Sequence, residues 1–166
     1  NAGEAEVKGF ELEGEAHPID GLTLDASFSL LDFQYTQLSA GAIAAGITTS
    51  MRTPFTPKQK YSLGAQYEIP LGGMGTLTPR LDYSYQGELF SQPLNQAFTR
   101  VAAYGLLNGR LTWRSEDRDW QAALEVSNIS DKLYYLSVFD NRGSTRDVLG
   151  APGMPRTYTV SLKRNF

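Results

Sequence analysis

The chain has 166 residues and a formal net charge of −3, so it lacks the basic surplus that is typical of nucleic-acid-binding proteins. It contains no cysteine, which excludes a disulfide framework and thiolate metal sites. No segment reaches the about 18 apolar residues of a membrane-spanning helix, and the nine Tyr, eight Phe and sixteen Gly residues favour β-structure.

Seven segments alternate apolar and polar residues with a period of two, which predicts β-strands with one apolar and one polar face. In chain order they are residues 5–16, 22–30, 60–71, 76–86, 106–114, 120–128 and 156–166. In the first segment, Ala5 and Val7 are out of phase with the apolar residues from Phe10 onward. We therefore expect a β-bulge at Lys8-Gly9. No helical period competes over a comparable length.

The connections between these segments alternate in length. Residues 17–21, 72–75 and 115–119 are short and rich in Gly, Asp and Pro, as tight turns are. The other three connections are long and cover residues 38–57, 91–103 and 139–155. This alternation places the tight turns at one end of an antiparallel sheet and the long loops at the other. Outer-membrane β-barrels have this arrangement, with short periplasmic turns and longer extracellular loops.

Aromatic residues on the apolar face concentrate near the strand ends. Two Trp residues flank the turn at 115–119, and two Tyr residues lie toward the opposite rim. Trp and Tyr accumulate at both membrane–water interfaces, and a terminal Phe fits the same position. The predicted membrane-interface residues are Tyr83, Tyr85, Trp113, Trp120 and Phe166.

The opposite face is charged along several strands, as the lumen of a barrel can be. Its charged residues are Glu11, Glu13, Glu15, Asp25, Lys60, Glu68, Arg80, Asp82, Arg110 and Glu125. A soluble β-sandwich binding module also alternates polar and apolar residues, and a passive porin-like channel has the same kind of wall, so both remain as alternatives. Long loops confined to one rim favour the barrel. The predicted fold is all-β: an antiparallel up-and-down transmembrane β-barrel.

The last predicted strand alternates up to the final residue of the sequence. If its apolar face meets lipid, every backbone N–H and C=O needs a strand partner, so we expect this strand to be hydrogen-bonded on both sides. Seven strands are an odd number and fall short of the about 8 of the narrowest filled barrels. Single-chain bacterial barrels have even strand numbers. We therefore expect residues 1–166 to be the C-terminal portion of a larger barrel.

Several stretches of the sequence resemble the last strands of TonB-dependent outer-membrane receptors. They are residues 1–29, 53–67, 120–135 and 153–166, in that order along the chain. The segment with Asn128, Asp131, Lys132 and Tyr134 is followed by a long loop, then by Pro155-Arg156 and a terminal Phe. This succession is similar to the family's last two strands.

The resemblance implies a 22-stranded barrel with an N-terminal plug domain, of which residues 1–166 would be the C-terminal part, with the plug and the earlier strands absent. It implies a transporter in the outer membrane and not an enzyme: TonB-energised uptake of siderophore-iron or a similar nutrient chelate. The implied partners are the lipid bilayer, the TonB complex through the plug, the barrel-assembly machinery and a small-molecule chelate, with no nucleic acid. The residues that the assembly machinery would read are Tyr158, Val160, Leu162 and Phe166.

Two groups of residues have simple structural interpretations. His17 is the single histidine and precedes a turn proline, so we interpret it as a turn residue and predict no metal site and no cofactor. Glu11, Glu13 and Glu15 lie on one strand face, with neighbours about 7 Å apart, a spacing compatible with paired-acid catalysis. A charged lumen wall that contacts a plug explains these carboxylates better, because such ladders are ordinary in charged lumens, and we predict no catalytic residue.

Ligand selectivity is expected in the long loops, because residues 90–100 and 139–150 mix aromatic side chains, amides and arginines. Each arginine alone is more simply a solvated loop charge, but together they suit an anionic chelate, which they would hold through forked hydrogen bonds. Residues 38–51 are small and apolar, and we expect them to pack against neighbouring loops. The candidate ligand-binding residues are Phe90, Asn95, Phe98, Arg100, Phe139, Asp140, Arg142 and Arg146.

Overall fold

The computed structural model describes residues 3–165, and nearly all of its regular structure is antiparallel β. The strands are β1 (Gly3–Ala16), β2 (Leu22–Leu38), β3 (Gln59–Tyr67), β4 (Ile69–Pro70), β5 (Thr76–Gln86), β6 (Leu89–Phe90), β7 (Arg100–Val101), β8 (Tyr104–Arg114), β9 (Trp120–Ser127), β10 (Tyr135–Asp140), β11 (Val148–Pro152) and β12 (Thr157–Arg164). One short helix, α1 (Ala40–Ala44), and two 3-10 turns, Gly72–Met74 and Ala97–Thr99, complete the elements of this part of the chain. None of its helices has the length and apolarity needed to cross a bilayer.

A single sheet contains the seven predicted segments. Its strand order is β1-β2-β3-β5-β8-β9-β12, every neighbouring pair is antiparallel, and β4 extends the pairing of β5. This is an up-and-down meander, as the sequence predicted. The pairs β6–β7 and β10–β11 form separate small hairpins inside two of the long connections.

The sheet has one apolar and one polar face along its whole width. Leu24 pairs with Ala65, which pairs with Leu81, and we call the face that carries these residues the outer face. Asp25, Gly64 and Asp82 oppose one another in the same way on the other side, the inner face. On the outer face Leu24, Leu81 and Leu162 are 39%, 54% and 69% exposed. A β-sandwich would bury these side chains under a second sheet, so this alternative is wrong for the described residues.

The tight turns gather at one end of the sheet. Two of them need a left-handed residue and place glycine there: Gly21 (φ 79°) and Gly75 (φ 92°), where a Cβ would lie 2.0 Å from the carbonyl oxygen of Arg114. In the third turn, residues 115–119, the left-handed residue is Arg118 (φ 63°). Asn165 fastens the end of the last strand to this turn, because its backbone N–H donates to the Asp119 carbonyl at 2.8 Å.

The bulge predicted at Lys8-Gly9 is wrong. The register runs unbroken through these residues and shifts instead between Glu4 and Ala5. The sequence pattern changes phase because the polarity of both faces inverts at this level, not because a residue is inserted. Lys8 opposes Asp32 on the outer face, whereas Val7 opposes Phe33 on the inner face. The same inversion explains why β2 is eight residues longer than the predicted strand.

Candidate functional site

The three long connections pack together at the end of the sheet opposite the tight turns. We call them the loop crown and define it as residues 39–58, 87–103 and 128–156. The second and third connections share a small core in which Val101 is 1% and Thr99 0% exposed, with Leu89 beside them also buried. Ser91 Oγ accepts a hydrogen bond from the Val138 N–H at 2.8 Å, which fixes β10 to the second connection.

The first connection joins this body through Arg52. Its backbone N–H donates to Asn95 Oδ1 at 2.6 Å, and its carbonyl accepts from Asn95 Nδ2 at 2.9 Å. Its guanidinium pairs with Glu88 at 3.0 Å and lies 5.2 Å from the ring centre of Phe90. Helix α1 starts at the N-cap Ser39 and buries Ala42. A Cβ at Gly46 would lie 3.6 Å from Leu94 Cδ2, so this small apolar stretch reaches the second connection, as the sequence predicted.

The three predicted arginines of the crown have different surroundings. Arg142 pairs with Asp140 at 2.9 Å and its Cζ lies 3.8 Å from the ring centre of Phe98, a cation–π contact. The hydrogen bonds from Arg142 hold the pKa of Asp140 below its ordinary value. Arg100 pairs with Glu88 at 3.2 Å. Among residues 3–165, no ion pair involves the guanidinium of Arg146, which stands at the tip of the β10–β11 hairpin.

All eight candidate ligand-binding residues therefore lie in the crown, but their tasks differ. Asn95 and Phe90 hold loops together, and Arg100 and Asp140 complete ion pairs within the crown. Phe98 and Phe139 keep exposed ring surface, and Arg142 keeps about half of its side chain exposed. Of the eight candidates, Phe98, Phe139, Arg142 and Arg146 thus keep side-chain surface on the exterior of the crown.

Sequence reasoning missed the mouth of the inner face below the crown. A cavity of about 690 Å³ opens there between Glu11, Glu13 and Lys60 on one side and Tyr104 and Tyr134 on the other. The two tyrosine rings lie 4.6 Å apart. Tyr104 belongs to β8 and Tyr134 to the connection after β9, so only the fold brings them together. The sequence signal that could have placed Tyr104 on the inner face is its alternation with Leu106 on the same strand.

Several charged residues of the inner face form ion pairs with one another. Arg80 pairs with Asp82 on its own strand at 2.6 Å and with Asp25, two strands away, at 2.8 Å. The pair to Asp25 crosses β3 above Gly64, where a Cβ would lie 2.2 Å from Asp25 Oδ2. Only glycine leaves this space. Arg110 and Glu125 form a further pair at 3.3 Å, so these charges stabilise the wall.

The segment that carried the family resemblance forms a knot of hydrogen bonds between β9 and β12. Asn128 is only 3% exposed and has a left-handed backbone (φ 52°). Its Oδ1 accepts from the Lys132 N–H at 2.9 Å, while its Nδ2 donates to the carbonyls of Lys132 (2.9 Å) and Met154 (3.3 Å). Asp131 Oδ1 accepts from the Arg156 N–H at 3.0 Å. The knot thus fixes both ends of the third long connection.

Aromatic side chains stand at both ends of the outer face. Tyr85 stacks on Tyr61 with ring centres 4.8 Å apart, and Tyr83 lies beside them near the crown. At the turn end, Trp113 Nε1 donates to the Met74 carbonyl at 2.9 Å, and the Trp120 ring faces Arg164 at 4.9 Å. Tyr158, Val160 and Leu162 follow one another along the outer face of β12, and Phe166 lies outside the described residues.

No metal centre is built from the described side chains. Within residues 3–165, no cluster of three or more His, Asp or Glu side chains is arranged to hold a metal ion. His17 lies near the tight-turn end, where Nε2 contacts Glu15 Oε1 at 3.0 Å and Nδ1 contacts the Thr23 hydroxyl at 3.1 Å. These contacts are those of a residue that fastens a turn.

Comparison with known proteins gives a consistent result. Residues 1–129 match the family model described as TonB dependent receptor-like, beta-barrel. The ferric-pyoverdine M114 receptor PbuA of Pseudomonas sp. (strain M114) is 27% identical over 171 aligned residues, which cover 100% of this chain and 19% of PbuA. The metal-pseudopaline receptor CntO of Pseudomonas aeruginosa is 26% identical, covering 99% of this chain and 21% of CntO. The crystal structure of the ferric yersiniabactin uptake receptor FyuA from Yersinia pestis superposes with a TM-score of 0.85 at 25% identity, covering 100% of this chain and 24% of FyuA.

Proposed function

The chain belongs to the TonB-dependent receptor β-barrel family, and on this premise we propose that it is part of an outer-membrane receptor that takes up siderophore-bound iron or a similar metal chelate. The observation that carries the proposal is the sheet itself. Its outer face is apolar and exposed from β1 to β12, its inner face is polar, and its three long connections pack into one crown at a single rim. The family consists of transport receptors. We therefore propose that the barrel wall contributes to passage of a ligand and catalyses no reaction.

The chain spans about a fifth of the length of the curated relatives it matches. We propose that it supplies the C-terminal seven strands of a larger barrel, and that the plug domain through which TonB acts lies elsewhere in the receptor. The alternating residues Tyr158, Val160, Leu162 and Phe166 are proposed as the signal for the barrel-assembly machinery. Tyr83, Tyr85, Trp113, Trp120 and Phe166 are proposed to lie at the two membrane interfaces.

We propose the crown as the surface that first contacts the chelate. Phe98 and Phe139 offer flat apolar area, and Arg142 and Arg146 offer guanidinium donors to carboxylate or phenolate groups. PbuA is a ferric-pyoverdine receptor, CntO a metal-pseudopaline receptor and FyuA a ferric yersiniabactin uptake receptor, which supports a metal chelate as the ligand class.

Uptake by the full-length receptor tests this function. Cells starved of iron are given a panel of radioactive ferric chelates, with and without the receptor gene and with and without a working TonB. We expect uptake of at least one chelate to require both. Uptake that requires the receptor but not TonB identifies a passive channel. A receptor recovered in the soluble fraction, with no change in gel mobility on heating, contradicts the proposed membrane barrel.

A further inference from the structure

The cavity of about 690 Å³ at the mouth of the inner face, which we call the mouth cavity, has two chemically different walls. One wall, on β1 to β3, presents charged side chains and serine hydroxyls, and the facing wall, on β8 and the connection after β9, is aromatic and aliphatic. The strand residues between these side chains point to the outer face, so the cavity opens on the inner face. The polar wall carries Glu11, Glu13 and Lys60, and the apolar wall carries Tyr104, Tyr134 and Leu136.

The two tyrosines of the apolar wall are held in place by the fold. The ring of Tyr134 lies between the ring of Tyr104, 4.6 Å away between centres, and the backbone of Gly153. A Cβ at Gly153 would lie 2.0 Å from Tyr134 Cζ, so any side chain there would displace the ring. The Gly153 N–H also donates to the Tyr134 carbonyl at 2.9 Å. The pair is therefore a fixed aromatic surface, on which a planar ring can stack without first ordering the protein.

Phe55 adds a third aromatic residue to the border of the mouth cavity. It is 51% exposed and has a left-handed backbone (φ 60°), which is rare for a bulky residue. Two hydrogen bonds hold this turn: the Phe55 N–H donates to the Phe90 carbonyl at 2.9 Å, and the Thr56 hydroxyl donates to the Thr53 carbonyl. Strained backbone of this kind is concentrated at ligand-binding sites. Phe55 thus supports the interpretation of the cavity as a binding site.

The charges of the polar wall are not used by the wall itself. Nearer the tight turns, Arg80 and Arg110 are paired with carboxylates of the inner face. At the mouth cavity, by contrast, neither Glu11, Glu13 nor Lys60 forms an ion pair with another residue of the described range 3–165. Two carboxylates against one ammonium give this wall a net negative charge. It therefore attracts a protonated amine and repels a chelate that carries several negative charges.

We propose that the mouth cavity is a second binding subsite, and that it selects metal chelates that carry a protonated amine beside a planar aromatic ring. This rests on the proposed function, because it takes the ligand to be a metal chelate. The ring stacks on the Tyr104–Tyr134 pair, the amine donates to Glu11 and Glu13, and Lys60 donates to an acidic oxygen of the chelate. Because the crown arginines bind acidic groups and the mouth cavity binds the amine, the preferred ligand is dipolar.

The test uses two ferric chelates that differ only in one positive charge. The first is the ferric complex of a salicylate-based chelator with one free amine, and the second is the complex of its N-acetylated derivative. Calorimetric titration into the full-length receptor in detergent at neutral pH gives both affinities. We expect the amine chelate to bind about tenfold more tightly, the factor of one charge-assisted hydrogen bond.

The variants separate the two walls of the mouth cavity. In the double variant Glu11→Gln, Glu13→Gln, the preference for the amine chelate should fall below about twofold. The matched control is Glu15→Gln, the same charge change on the same face of β1 but outside the lining, which should keep the wild-type preference. Tyr134→Ala should weaken both chelates about fivefold and leave the preference unchanged, because it removes only the stacking surface.

Several results overturn the inference. They are equal affinity of the wild type for the two chelates, no binding of either, and an equal loss of preference in Glu15→Gln, which indicates attraction by net charge alone. A lower melting temperature of the double variant with an unchanged preference also overturns it, since it identifies a structural contact. A receptor that takes up another ferric chelate with TonB in any of these cases contradicts only this inference, whereas one that takes up none contradicts the proposed function.

Discussion

The sheet and the loop crown are stabilised in opposite ways. The sheet has almost no interior: its large apolar residues stand exposed on the outer face, and its polar residues pair across the inner face. The crown contains most of the buried apolar side chains of the described region, with Leu89 and Val101 under a net of side-chain to backbone hydrogen bonds. The stability of the sheet therefore depends on the bilayer around its outer face. The crown is stabilised by a buried apolar core, as small domains in water are.

A charge on the outer face should give the largest effect. Leu81→Arg places a guanidinium on the apolar face in the middle of β5, where we expect a loss of about 2–4 kcal/mol in the free energy of unfolding in a bilayer. Ser84→Arg, on the inner face of the same strand, is the control and should cost less than about 1 kcal/mol. Urea unfolding in phospholipid vesicles measures both. Equal losses would show that the two faces are not in different solvents.

The knot at Asn128 joins sheet and crown, so its loss should affect both. Asn128→Ala removes the buried amide and its hydrogen bonds and leaves a residue that disfavours a positive φ, for an expected cost of about 2–3 kcal/mol. Asn128→Gly keeps the backbone conformation and should recover part of this loss. Thermal unfolding of the receptor compares the two variants. If the glycine variant is no more stable than the alanine variant, the whole loss of stability comes from the amide hydrogen bonds and none from the backbone conformation.

The crown's own core should respond locally. Val101→Ala leaves a cavity in a site that is almost fully buried, which we expect to lower the local opening free energy by about 1–2 kcal/mol. Faster hydrogen exchange in residues 87–103 and 135–152, with an unchanged sheet, is the expected result. Val160→Ala, the same change on the exposed outer face, is the control. Faster exchange throughout β8 and β9 would show that the crown and the sheet unfold as one unit.

The arginines of the crown should differ in their effect on ligand affinity. Arg146→Gln removes a guanidinium with no partner in the described structure and is expected to weaken binding of an anionic chelate about fivefold. Arg100→Gln removes one that already pairs with Glu88 and should change affinity less than twofold. Fluorescence titration with the ferric chelate separates the two. A larger loss of affinity for Arg100→Gln would show that the chelate contacts the crown at β7 and not at the tip of the β10–β11 hairpin.

The smallest expected effect is a pH dependence of the crown tip. Because Arg142 lowers the pKa of Asp140, this pair stabilises the tip above the ordinary carboxyl pKa, and the contribution is lost as the pH falls through the lowered value. The protection factors of residues 141–147, which are exchange rates corrected for the pH dependence of the intrinsic rate, should therefore fall in acid. Asp140→Asn should show low protection factors at all pH values, with little further change in acid. A pH response that survives in this variant would point to another carboxylate.

The sheet was predictable because each of its strands carries a local signal. A period of two over nine or more residues fixes both the strand and its apolar face, as in Gln59–Tyr67 and Thr76–Gln86. The same signal misled where the environment changes along one strand. Residues 31–38 continue β2, but their outer face is polar, so the predicted strand ends at residue 30 and the partner strand is wrongly predicted to bulge at Lys8-Gly9.

The crown was predictable only in its composition. The contact of Arg52 with Asn95 joins residues 43 positions apart, and no local pattern encodes such a distance. The hairpins β6–β7 and β10–β11 have strands of two to six residues, too short for a period to emerge. The candidate residues therefore all lie in the crown, but the sequence does not distinguish those that hold loops together from those that face solvent.

Gly64 has a consequence for how the wall is assembled. The ion pair between Arg80 and Asp25 closes only over a position without a side chain, and the neighbouring residues of β3 all carry one. A slip of β3 by one residue turns Leu63 or Ala65 to the inner face, and a slip by two brings Ser62 or Gln66 under the bridge. Only one alignment of three strands lets the two charges meet. The absence of a side chain at Gly64 thus favours the native strand register over the nearest shifted registers during assembly of the barrel wall.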